Sequence, residues 1–106
     1  MKIIITQQAD ENLFSLYLYH LEYSEEYART FQRELNIFID LLVTNPFMGR
    51  VYNEAAGIYR VVFHKKYNIY YTIKSGTLYI VYILDGQVQF NTELLNPSFD
   101  LSDIQV

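Results

Sequence analysis

The sequence predicts an α+β fold of order β-α-α-β-β-β, a helical hairpin packed on a small antiparallel sheet. Three observations carry this expectation. Apolar residues in the first half recur every three or four positions, and those of the second half alternate at the period of strands. Pro46 stands where the period changes. The 106 residues are 51% hydrophobic and contain no cysteine, enough apolar material for one packed core and no basis for a disulfide framework.

Residues 2–5 form a short β-branched run and read as a strand. Thr6 can cap a helix that begins near Gln7, with Ala9, Leu13, Leu16, Tyr17 and His20 at helical spacing. Ser24 opens a second helix. Glu25 and Glu26 put negative charge at its positive end, and Ala28, Phe31, Leu35, Phe38 and Leu42 make its apolar stripe. Helices joined by so few residues pack antiparallel. Pro46 ends the second and pushes Asn45 out of helical geometry. Beyond a short loop come three β-rich runs at 58–64, 67–73 and 78–84, with Lys65-Lys66 and Ser75-Gly76 as turns. Two-residue hairpins would pair His64 with Tyr67 and Lys74 with Thr77. Arg60 would then face Tyr71, and Tyr71 would face Ile80. One sheet face would carry Ile58, Arg60, Val62, Tyr67, Ile69, Tyr71, Ile80 and Tyr82, and neither face would be polar.

Composition narrows the function. Eight Lys+Arg stand against twelve Asp+Glu, a net charge of −4, which argues against direct nucleic-acid binding through phosphate neutralisation. No apolar run approaches a membrane span, and three consecutive isoleucines near the N-terminus are too few for a signal peptide, so a cytoplasmic location is expected. Two isolated histidines give no metal spacing, and no phosphate- or dinucleotide-binding glycine motif is present, so no cofactor is expected. Eleven tyrosines suit half-buried sheet faces and protein interfaces alike.

A few residues stand out against this background. Arg50 follows a glycine at the exit of the second helix, where an arginine can meet free carbonyls and the negative dipole end. Arg60 lies on an otherwise apolar face, either paired to a carboxylate or tyrosine ring or presented to a phosphate or a partner protein. His64, Lys65 and Lys66 form the one basic cluster, a phosphate clamp with a general acid or base in one reading and a solvated hairpin tip in the other. His20 reads as a capping or packing histidine.

Four stretches in order carry a family likeness. Ser24, Glu25, Ala28 and Phe31 open the second helix. N-P-F-M-G-R at 45–50 leaves it, G-I-Y-R at 57–60 starts a strand, and Y-N-I-Y-Y at 67–71 fills the next. Together they resemble the RelE/ParE toxins of bacterial type II toxin–antitoxin (plasmid-stabilisation) modules over about residues 3–86, and make 1–90 a toxin-like domain. The stretch Y-I-L-D-G-Q-V at 82–88 departs from the family's ribonucleases. Tyr82 stands at a basic position, Asp85 at a histidine, and Gln87 and Val88 at arginines, while Asn68 replaces a frequent arginine. The resemblance therefore implies the ParE branch: growth inhibition by protein–protein contact with DNA gyrase, without cleavage chemistry, and storage in a hetero-oligomer with a cognate antitoxin. Arg50, Arg60, Tyr70 and Tyr82 are its candidate target- or partner-binding residues. The alternatives are a RelE-type ribosome-dependent mRNA interferase using Arg60, His64, Lys65 and Lys66, and a decayed toxin that retains only antitoxin binding. Residues 91–106 carry Leu94, Leu95, Phe99, Leu101 and Ile104 with three acids and no base, an extension expected to pack on the domain or on a partner.

Overall fold

Thr6 closes the first strand, β1 (Lys2–Ile5), and opens the first helix, α1 (Gln7–Leu21). In the computed structural model, which describes residues 1–86, its buried hydroxyl accepts from the Ala9 amide at 3.2 Å and donates to the Ile80 carbonyl at 2.9 Å. One side chain thus caps the helix and pins it to the sheet. Ser24 caps the second helix, α2 (Glu25–Thr44), by accepting from the Tyr27 amide at 3.2 Å. Glu22, Tyr23 and Ser24 alone separate the helices, which gives the expected hairpin. At the far end Pro46 offers no N–H. The amide and side chain of Asn45 both donate to the Leu41 carbonyl instead, at 2.9 and 3.1 Å.

Four strands follow: β2 (Arg50–Asn53), β3 (Ile58–Phe63), β4 (Tyr67–Lys74) and β5 (Thr77–Asp85). The sheet is five-stranded and mixed, in the order β1-β5-β4-β3-β2. β1 runs parallel to β5 at one edge, and the remaining neighbours are antiparallel. β1 reaches only to Ile80 on β5, so the Ile83 amide turns to the side chain of Asn12 on α1, at 3.2 Å.

The helices cover one face. Phe31, Leu35, Ile39 and Leu42 of α2 and Ala9 of α1 bury against Phe63, Tyr67, Ile69, Tyr71, Leu78, Ile80 and Ile83. Each such side chain contributes about 1.5–3 kcal/mol on burial. A second cluster lies on the opposite face, with Ile58, Tyr70 and Val81 at its centre and no residue of either helix.

The structure corrects the sequence reading at four points. Residues 50–53 are a strand, not part of a loop. Phe63 rather than His64 pairs with Tyr67, because the turn has three residues and holds His64 and Lys65 at φ of 55° and 58°. This shift by one moves Arg60 opposite Tyr70 instead of Tyr71 and turns it, with Ile58, away from the helices. A bulge then separates Tyr70↔Tyr82 from Tyr71↔Ile80, so Ile80 and Tyr82 lie on different faces. The second turn is as expected: Ser75 and Gly76 both have positive φ, and Lys74 pairs with Thr77. The expectations for Gln87, Val88 and residues 91–106 lie outside the described residues.

Candidate functional site

The register sets four side chains in one row. Arg50 pairs with Arg60, Arg60 with Tyr70, and Tyr70 with Tyr82, across β2, β3, β4 and β5 on the helix-free face. Directly opposed residues project from the same side of a sheet. Both arginines are exposed, and they border a shallow hollow of about 280 Å³ with Met48 and Gly49. Arg50 therefore stands on a strand beyond the helix exit, and the last helical turn is served by Asn45.

Two like charges face each other at the head of this row. Such a pair is unfavourable by roughly 0.2–1 kcal/mol. Among the described residues no carboxylate forms an ion pair with Arg60. Its guanidinium instead lies over the Tyr52 ring, 5.7 Å from the centroid, and Tyr52 meets Tyr70 edge-on at 4.9 Å. Burial pushes the Tyr70 phenol above its ordinary pKa, neighbouring Tyr52 adds to this, and Arg60 acts in the opposite direction. Burial likewise raises Tyr82. Both phenols stay protonated at neutral pH; Tyr70 is buried and Tyr82 half-buried beside the exposed arginines. Tyr52 is not marked in the sequence, where R-V-Y-N followed by E-A-A-G reads as loop. The hairpin signal was there: Gly57 has φ 69°, and the Asn53 side chain accepts from the Ala56 amide at 3.0 Å.

The ribonuclease set is not brought together. His64 stacks on Phe63, a residue of the helix-side core, and its Nε2 lies 2.7 Å from Glu34 Oε2 on α2. It thus turns to the helices, away from Arg60. Lys66 lies 3.6 Å from Asp85 and 5.4 Å from the centre of the Tyr67 ring. Lys65 occupies a left-handed position of the turn and is exposed. Among the described ion pairs, no histidine or carboxylate meets Arg50 or Arg60.

The tyrosines of the Y-x-I-x-Y stretch have structural work. The Tyr67 hydroxyl meets His20 Nε2 at 2.8 Å and ties β4 to the end of α1. Burial and the nearby Lys66 hold the His20 pKa below its ordinary value, which favours the neutral ring; the tautomer decides which of the two groups donates. The Tyr71 hydroxyl donates to the Pro46 carbonyl at 2.8 Å and accepts from the Gly49 amide at 3.0 Å. This explains the glycine in N-P-F-M-G-R, since a Cβ at Gly49 would lie 2.5 Å from that hydroxyl and 2.9 Å from the Arg60 carbonyl.

The outer side of the helices is apolar in places. Ile37, Leu41 and Phe47 are exposed, and Phe38, Phe63 and His64 line a hollow of about 370 Å³ beside Ile37 and Leu41. None of the described helices is long and apolar enough to cross a membrane. The model of the family described as ParE toxin of type II toxin-antitoxin system, parDE, matches residues 3–90. No curated protein matches the chain.

Proposed function

The chain belongs to the ParE toxin family of type II toxin–antitoxin systems, and from that premise we propose that it inhibits DNA gyrase by protein–protein contact through the row Arg50, Arg60, Tyr70 and Tyr82. The supporting observation is the separation of the two candidate sets. The row shares one face, whereas His64 and Lys66 meet Glu34 and Asp85 elsewhere. An interface needs a cationic and aromatic surface of this kind; a ribonuclease needs a proton-transfer group beside the cations. Toxins of this family imply an antitoxin partner. We assign its contact to the exposed stripe of Ile37 and Leu41 with the adjoining hollow, where an amphipathic helix can insert, and to the open edge at β2. In this reading the complex is a cytoplasmic hetero-oligomer.

Induction of the chain in cells without the antitoxin separates the readings when growth, plasmid supercoiling and bulk translation are followed together. The expected result is growth arrest with early loss of negative supercoiling while translation continues. Early loss of translation with cleaved mRNA identifies an interferase instead. Unimpaired growth, with retained binding to the product of the adjacent gene, identifies a decayed toxin.

A further inference from the structure

The edge strand β2 is irregular at one residue. Arg50 pairs with Arg60 and Val51 with Tyr59, but Asn53 already pairs with Ile58, so the register leaves Tyr52 without an opposite residue. A bulge of this kind re-aims the side chain it frees. The Tyr52 ring meets Tyr70 edge-on at 4.9 Å and packs on the cluster of Ile58, Tyr70 and Val81. The Arg60 guanidinium lies over this ring, 5.7 Å from its centroid. Tyr70 is buried, Tyr52 half-buried and Arg60 exposed, so contact runs from the cluster through Tyr52 to a cation at the surface.

We propose that Tyr52 is the positioning residue of the row: it holds the Arg60 guanidinium in place, still charged, for a carboxylate on the target. An exposed arginine without a partner samples many rotamers, and ordering such a side chain on binding lowers affinity. A carboxylate within the chain would order it but would also neutralise it. Among the described residues no carboxylate forms an ion pair with Arg50 or Arg60. A ring face attracts the cation through its quadrupole and leaves the charge for another partner. Tyrosine suits this task because it turns about only two side-chain bonds, and here packing on Tyr70 and its cluster fixes the ring. The chemical class of the partner group follows from the row's own charge. Arg50 and Arg60 oppose one another across the strands, and a carboxylate from the target relieves that repulsion as it binds. The part played in target binding rests on the function proposed above; the hold on Arg60 does not.

The test compares the full-length wild type with Tyr52→Phe, which keeps the ring, and Tyr52→Leu, which removes it. In ¹⁵N-labelled protein the Arg60 Nε–H group should show the high heteronuclear NOE of an ordered side chain in the wild type and in Tyr52→Phe. In Tyr52→Leu it should fall to the low value of a freely moving arginine. With purified gyrase, Tyr52→Leu should need about threefold to tenfold more protein than the wild type for equal inhibition of supercoiling, and Tyr52→Phe should restore the inhibition. In an Arg60→Ala background the same Tyr52→Leu substitution should add nothing, because a residue that acts through Arg60 has no effect once Arg60 is gone. A mobile Arg60 in the wild type, or one equally ordered in Tyr52→Leu, overturns the proposal. Equal losses from Tyr52→Leu with and without Arg60 overturn it too, since they mark a residue that serves the fold or touches the target itself. Gyrase that the wild type leaves uninhibited contradicts the target proposed above and not the hold on Arg60, which the Nε–H measurement decides by itself.

Discussion

Arg60 shows how opposing terms decide what a residue is for. Its contact with the Tyr52 ring is worth about 0.5–1 kcal/mol. Its opposition to Arg50 costs roughly 0.2–1 kcal/mol. The two nearly cancel, so Arg60→Ala should melt close to the wild type, within about 0.5 kcal/mol, while losing growth arrest. A large fall in melting temperature would instead mark a structural arginine. His20 is the contrasting case, a titratable group whose role is in the core. Its pKa is lowered in the folded protein and near 6.5 in the unfolded chain. The unfolded chain therefore binds more protons between the two values. The contribution of His20 to stability is complete above about pH 6.5 and is lost as the pH falls from there through the folded pKa. Urea midpoints should drop on acidification across that window. His20→Gln should flatten this segment relative to the wild type, and an unchanged slope would show that other groups, Lys66 and Asp85 among its neighbours, set it.

The elements were legible where a local rule fixes the backbone, and opaque where tertiary contacts do. Thr6, Ser24 and Pro46 mark helix ends by the chemistry of their own side chains, and all three ends lie where the sequence puts them. Ser75-Gly76 announces its turn because glycine tolerates positive φ. His64 and Lys65 take the same region with no glycine to signal it, and the register of β3 moved by one as a result. The bulge in β5 leaves no local mark at all. The row of candidate residues was legible by type but not by geometry, since Tyr70 became a neighbour of Arg60 only through that register shift. The junction between α2 and β2 has its own test. Gly49→Ala must displace the Tyr71 hydroxyl or the Arg60 carbonyl, and should cost about 1–3 kcal/mol. Tyr71→Phe leaves the Gly49 amide and Pro46 carbonyl without this partner, and should cost a similar 1–3 kcal/mol by chemical denaturation. Wild-type midpoints for both variants would contradict the view that this hydroxyl clamps the junction.

At the scale of the molecule the two sides of the sheet divide the labour. The helix side holds the main core, the His20–Tyr67 and Tyr71 clamps, and the His64–Glu34 contact. The other side carries Arg50 and Arg60 exposed, in one row with the half-buried Tyr82 and the buried Tyr70 of a second and smaller apolar cluster. An acidic chain that concentrates two opposed arginines on one face gains little stability from them, which is why contact with another protein is the stronger account of their presence. The most direct test is DNA supercoiling by purified gyrase, titrated with the wild-type chain and with Arg60→Ala of matched melting temperature. The account predicts that the wild type inhibits supercoiling and that the variant needs about tenfold more protein or worse, the size expected for one interfacial hot-spot arginine. Supercoiling that proceeds unimpeded at saturating wild-type protein, or equal inhibition by both proteins, would contradict it.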